Sequence, residues 1–139
     1  MNRTFLVLIA LLVSLSFTSC DLGDDGPNFH FVPLVIESVE MPESFDLNET
    51  YQINVTYTVP DGCTFYEGFD IVKEATSTRK VVAVGAQRTD QEACTQVVRE
   101  EMASFDFIVL YDQAYLFRFY QGEDVNGEQQ YLEVEVPVN

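Results

Sequence analysis

The chain has 139 residues, of which 23 are acidic and 7 basic, for a formal charge of −16 at neutral pH. That balance excludes a nucleic-acid binder, which needs a basic surface, and disfavours electrostatic adsorption to anionic lipid. The length suits one domain with one core, and eleven Phe with seven Tyr supply apolar bulk although Trp is absent.

Met1-Asn2-Arg3-Thr4 opens the chain, followed by an apolar run from Phe5 to Val13 and then Ser14 to Ser19. A basic start, a short apolar core and small residues before a cleavage point make a secretory signal peptide, here over residues 1–19. The apolar core is about half the roughly 20 residues that a membrane span requires. Thr18-Ser19-Cys20 resembles the lipobox of bacterial lipoproteins, in which the cysteine thiol receives lipid, with Phe17 in place of the usual aliphatic residue. Ordinary signal cleavage is the competing reading, and Phe17 fits its preference for small residues less well still.

Behind Cys20 come Asp21, Gly23, Asp24, Asp25, Gly26 and Pro27, the composition of a solvated spacer, so residues 20–32 are expected to be an acidic tether. This run resembles the export signal that sends Bacteroidota-type lipoproteins to the outer face of the outer membrane. The resemblance implies a lipid-anchored, surface-facing protein, with periplasm-facing anchoring as the alternative. Removal of residues 1–19 leaves six basic and 23 acidic residues, a formal charge of −17. His30 is the single histidine and is expected in the tether, far from any nucleophile it could activate.

Strand periodicity dominates residues 33–139. Pro33–Glu40 carries Val35, Ile36 and Val39 before the Met41-Pro42-Glu43 break. Tyr51, Ile53, Val55, Tyr57 and Val59 alternate with polar residues up to the Pro60-Asp61-Gly62 turn. Thr64–Lys73 and the Val-rich Lys80–Gly85 follow. Thr95–Leu110 reads as one strand bent at Glu100-Glu101, as two strands, or as a short helix over Gln96–Ala103. Tyr115, Phe117 and Phe119 alternate in the next strand, and Leu132, Val134, Val136 and Val138 in the last. Between them Asn126-Gly127 is a strong hairpin signal. About seven short strands predict an all-β, antiparallel β-sandwich.

With Cys20 lipidated, Cys63 and Cys94 are the remaining cysteines, and an oxidising compartment favours a single structural disulfide between them. Four of the basic residues (Lys73, Arg79, Lys80 and Arg88) lie between these cysteines, where Glu67, Asp70 and Glu74 are the expected partners.

The strand pattern resembles an immunoglobulin-like or fibronectin type III-like domain. Tyr115-Leu116-Phe117 after Asp112 is similar to the tyrosine corner that opens the penultimate strand of such domains. Phe117 occupies the place of an antibody-domain cysteine, and no core Trp exists. The resemblance implies architecture and carries no function.

Outward positions of the alternation place Tyr66, Tyr120 and Tyr131 on a sheet face, where tyrosines stack on glycans or anchor protein partners. Phe65-Tyr66-Glu67-Gly68-Phe69-Asp70 is echoed by Phe119-Tyr120-Gln121-Gly122-Glu123-Asp124; side by side, the two would form one site. Asp124, Asn126 and Glu128 present oxygen ligands at alternate loop positions, a weak Ca²⁺ candidate against a plain solvated hairpin tip. No cofactor is otherwise implied. The sequence therefore points to a non-catalytic, lipid-anchored accessory module of an outer-membrane protein complex. A module binding extracellular glycan or peptide is the alternative, and a small hydrolase using a carboxylate pair the third reading.

Overall fold

A computed structural model of the chain describes residues 28–139. The signal peptide, Cys20 and the tether up to Pro27 lie outside the described residues. Seven strands follow one another with no helix among the described residues: β1 Phe29–Glu40, β2 Thr50–Val59, β3 Thr64–Lys73, β4 Thr78–Arg88, β5 Arg99–Ile108, β6 Tyr115–Glu123 and β7 Gln129–Val136. They form one mixed sheet in the order β5-β2-β1-β4-β6-β7, with β3 on β4, folded so that its two halves enclose the core as in a β-sandwich.

The first strand joins the halves. Phe29–Leu34 pairs with Arg88–Ala83 of β4, whereas Val35–Glu40 pairs with Thr58–Asn54 of β2. A bulge between Ile36 and Ser38 follows this switch, and Gln121 Nε2 donates to the Ile36 carbonyl at 3.3 Å. The strand starts at Phe29, four residues upstream of the expected boundary, so Phe29–Val32 and His30 belong to the domain. Period-two alternation continues through them, with Phe29, Phe31 and Pro33 on one face and Val32 and Leu34 on the other. Pro33 lacks a donor, which is tolerated here because this part of β1 is paired on one side only.

The antiparallel expectation fails at one place. Thr78–Val81 of β4 runs parallel to Leu116–Phe119 of β6. Parallel neighbours need a crossover, and β5 supplies it by crossing in the other half, paired with β2. In the immunoglobulin arrangement the third strand lies beside the penultimate one; here the fourth does, and β3 is pushed to the edge.

Residues 95–110 contain a single strand, β5, in unbroken ten-pair register with β2. Neither the helix nor the bend at Glu100-Glu101 forms, because each of these residues has a β2 partner, Thr58 and Tyr57. The core takes Ile53, Val55, Tyr57 and Val59 from β2, Val81 and Ala83 from β4, Phe107 from β5, and Tyr115, Phe117 and Phe119 from β6. Phe45, in the β1–β2 connection, is fully buried among them.

Tyr115 behaves as the corner residue expected. Its ring is buried, and its hydroxyl accepts the backbone N–H groups of Leu110 (3.1 Å) and Tyr111 (3.0 Å). Two donors at the β5–β6 turn are thereby satisfied inside the protein. At the opposite turn, Cys63 and Cys94 are bridged across Cα atoms 5.4 Å apart. Asp61 organises the same corner: its Oδ1 accepts from Cys63 N–H (2.9 Å) and Thr64 Oγ1 (2.8 Å), and its Oδ2 from Gln87 Nε2 (3.2 Å). These bonds hold the Asp61 carboxyl below its ordinary pKa, with the Thr64 hydroxyl the largest cause.

Candidate functional site

The three tyrosines do not share a face. Tyr66 pairs with Gly85 on the inner side of the sheet, and its ring stacks on Tyr57 with centroids 4.7 Å apart. Phe69 and Phe105 continue this aromatic ladder at 5.4 and 5.2 Å. Tyr120 lies opposite Tyr131 on the other side of the sheet from Phe119, yet it is only 6% exposed, too little for a docking residue. Tyr131 is half-buried beneath the Arg118 guanidinium, 4.3 Å from its centroid, while Arg118 also pairs with Glu74 (2.8 Å) and Glu133 (3.1 Å). Alternation assigns the parity of Tyr120 and Tyr131 correctly but says nothing of what covers them.

The echoed hexapeptides do not meet, since β4 separates β3 from β6. Their likeness has a local cause. Each carries an aromatic pair just before a register shift, between Tyr66 and Gly68 in β3 and between Tyr120 and Glu123 in β6. The pairs even face opposite ways, with Tyr66 and Phe119 inward and Phe65 and Tyr120 outward.

Of the three candidate oxygen ligands in the hairpin loop, Asp124 is engaged within the loop itself. Asp124 Oδ1 accepts the backbone N–H groups of Glu128 (3.0 Å) and Asn126 (2.8 Å), and these bonds, that of Glu128 first, hold its carboxyl below the ordinary pKa. Gly127 adopts a φ of 80°, the left-handed conformation that the Asn-Gly pair supplies. No group of three or more His, Cys, Asp and Glu side chains converges as a metal site among the described residues.

The basic residues also find other partners than expected. Arg88 pairs with Asp90 at 2.7 Å, and Lys73 Nζ donates to the Tyr111 hydroxyl at 2.8 Å. Arg79, 8% exposed, donates from Nη1 to the carbonyls of Ala75, Thr76 and Thr78 and lies over the Tyr115 ring at 5.4 Å.

Where β3 and β5 face each other across the open side of the fold, Tyr57 is the buried member. Its hydroxyl makes a long 3.5 Å contact to Glu101 Oε2, while Glu101 Oε1 accepts from Arg99 Nε at 3.1 Å. Burial first, and the Glu101 carboxylate second, push the Tyr57 pKa up to about 12 from 10.0. Burial also raises Tyr66. A raised acid is neutral in the folded protein where the unfolded chain ionises. The contribution of Tyr57 is therefore complete below pH 10.0 and is lost as pH rises toward about 12. Denaturation midpoints should fall across that window, and less so in Tyr57→Phe. Phenolate absorbance of the folded protein showing every tyrosine titrating at the ordinary value would refute this.

The outer edges of β3 and β7 are unpaired among the described residues but belong to strands with register shifts, and two other exposed surfaces are regular. One is the free edge of β5, whose only strand partner among the described residues is β2. Val109 N–H donates to the Glu49 carbonyl, so by alternation the backbone groups of residues 100, 102, 104, 106 and 108 point away from β2. The side chains of Met102 and Ile108 are 62% and 54% exposed beside that edge. The other surface is aromatic. Phe31 of β1 and Phe65 of β3 both pair with Ala86 of β4, and Phe29 packs edge-on against Phe31 at 5.4 Å. Sequence reading missed this cluster by placing Phe29 and Phe31 in the tether; their alternation with His30 and Val32 was the available signal. No family model, curated protein or solved structure matches the chain.

Proposed function

We propose that the protein is a lipid-anchored, surface-facing module of the outer membrane that binds an envelope protein by accepting an extended segment of it as a strand added to β5. The observation that carries this reading is the ten-pair, bulge-free ladder of β5 on β2, with the opposite edge unpaired among the described residues. Such an edge is a ready template for another chain, and folds commonly blunt it with a bulge, a proline or a short strand. Added strands gain affinity from main-chain bonds and specificity from alternate side chains. Exposed Glu100 and Asp106 make this edge acidic, while Glu101 is paired with Arg99, and this selects a partner segment carrying Lys or Arg. The sequence of residues 1–27 supports delivery and anchoring at the envelope.

The test places a photoreactive amino acid at Met102 in intact cells, alone and combined with Ser104→Pro. Proline at 104 removes an N–H that points away from β2, so the ladder is retained while the template is blocked. A discrete adduct that survives Ser104→Ala and disappears in Ser104→Pro is the expected result. An adduct of equal strength in the proline variant, or none in either, would overturn strand addition.

A further inference from the structure

The aromatic cluster lies where the tether enters the domain. Three successive rows cross the outer face there: Phe29 with Arg88, then Phe31–Ala86–Phe65, then Pro33–Val84–Gly68. Phe31 is 64%, Phe65 49% and Phe29 41% exposed. Ala86 between the two rings is only 8% exposed, so the flanking phenylalanines already shield the strand beneath and spend their outer faces on solvent. None of the eight paired residues in these rows is acidic, in a chain with 23 acidic residues, and the one acid beside them is exposed Glu67 at the β3 bulge. The one charged member, Arg88, is paired with Asp90.

We infer that this face docks on the lipid surface beside the anchor, with Phe29, Phe31 and Phe65 inserted at the headgroup–acyl boundary. The inference rests on the reading of Cys20 as the lipid-bearing residue. Chain length selects the occupant. Eight peptide steps separate Cys20 from Asn28, a span of at most about 29 Å, so an anchored chain holds this face within one short tether of the bilayer. Charge agrees with that choice. The acidic body of the protein is repelled by anionic headgroups, whereas these rows are apolar apart from Arg88, which is paired. Docking would also fix orientation: the outer face of the half built on β4 is turned to the membrane, and β5 belongs to the other half.

Absence of native Trp makes the test direct. The chain from residue 20 onward, with Phe31→Trp as the sole Trp, is coupled through its Cys20 thiol to a maleimide lipid in phosphatidylethanolamine–phosphatidylglycerol vesicles. Cys63 and Cys94 are held in their disulfide and do not compete. Coupling in vitro makes the result independent of acylation in cells, which mass spectrometry of the envelope protein decides separately. Trp emission should shift to the blue and be quenched roughly twofold by lipids brominated in the upper acyl chain, the depth that an interfacial apolar face reaches. Phe29→Ser with Phe65→Ser in the same chain should abolish both effects. A second reporter, Ile108→Trp at the β5 edge, should show neither. Unquenched emission at position 31 overturns the proposal. If that emission is blue-shifted and concentration-dependent without quenching, a second copy of the chain covers the face instead.

Discussion

Replacing Cys63 and Cys94 with Ala together should lower stability by about 3–4 kcal/mol and the melting temperature by roughly 10–20 °C. The two residues are 31 positions apart, and in the chain-entropy model a closed loop of that length removes conformational freedom mainly from the unfolded chain. The native side loses something as well. The bridge holds the Thr89–Val98 connection against the β2–β3 turn, where Gly62 N–H donates to the Thr95 carbonyl at 2.9 Å. The reduced protein should therefore show faster amide exchange at Gly62, and its m-value should rise because its unfolded ensemble is more expanded. Guanidinium titrations with and without reductant make the measurement. Coincident curves would mean that the bridge contributes nothing.

Phe45→Ala should cost about 3–5 kcal/mol, comparable to losing the disulfide. The ring is fully buried, with Tyr51 at 4.8 Å, Phe107 at 5.7 Å, Tyr115 at 6.0 Å and Phe117 at 6.1 Å between centroids. Two backbone bonds fix its position: Phe45 N–H donates to the Pro137 carbonyl (2.9 Å), and Asn139 N–H donates to the Phe45 carbonyl (2.8 Å). Four aromatic neighbours held by strand pairing cannot collapse into the space, so much of the cavity should persist. Phe45→Leu should cost less than Phe45→Ala, because it leaves a smaller cavity. Chemical denaturation of the pair checks this, and a loss in Phe45→Ala no larger than a surface substitution would sink it.

The strands legible in the sequence were those with one buried face and a clean period of two. Tyr51–Val59 and Tyr115–Phe119 are the clearest, and β2 and β6 contain both. Asn126-Gly127 marked the hairpin tip because its left-handed conformation is a local requirement. Phe45 was invisible for the opposite reason: it sits in a connection with no periodicity, and distant strands alone make it core. Simple alternation turns Tyr66 outward, whereas the bulge after it in β3 shifts the period and leaves it inward, and the parallel contact of β4 with β6 leaves no local trace. For the surfaces, composition showed aromatic abundance but not its distribution. Phe31 and Phe65 become neighbours only through Ala86 of a third strand.

The bridge between Phe45 and the end of the chain also sets an order of events. Val138 pairs with Phe45, and Pro137 and Asn139 supply the backbone bonds on either side of it. Synthesis from the N-terminus delivers β1 early, yet β1 needs β4 for half its length, and the Phe45 clamp needs residues 137–139. Contacts this distant in sequence form slowly and leave apolar surface bare in the meantime. Closure of the core around Phe45 therefore waits for residues 137–139, and the interval before that closure is the stage at which the most apolar surface is bare.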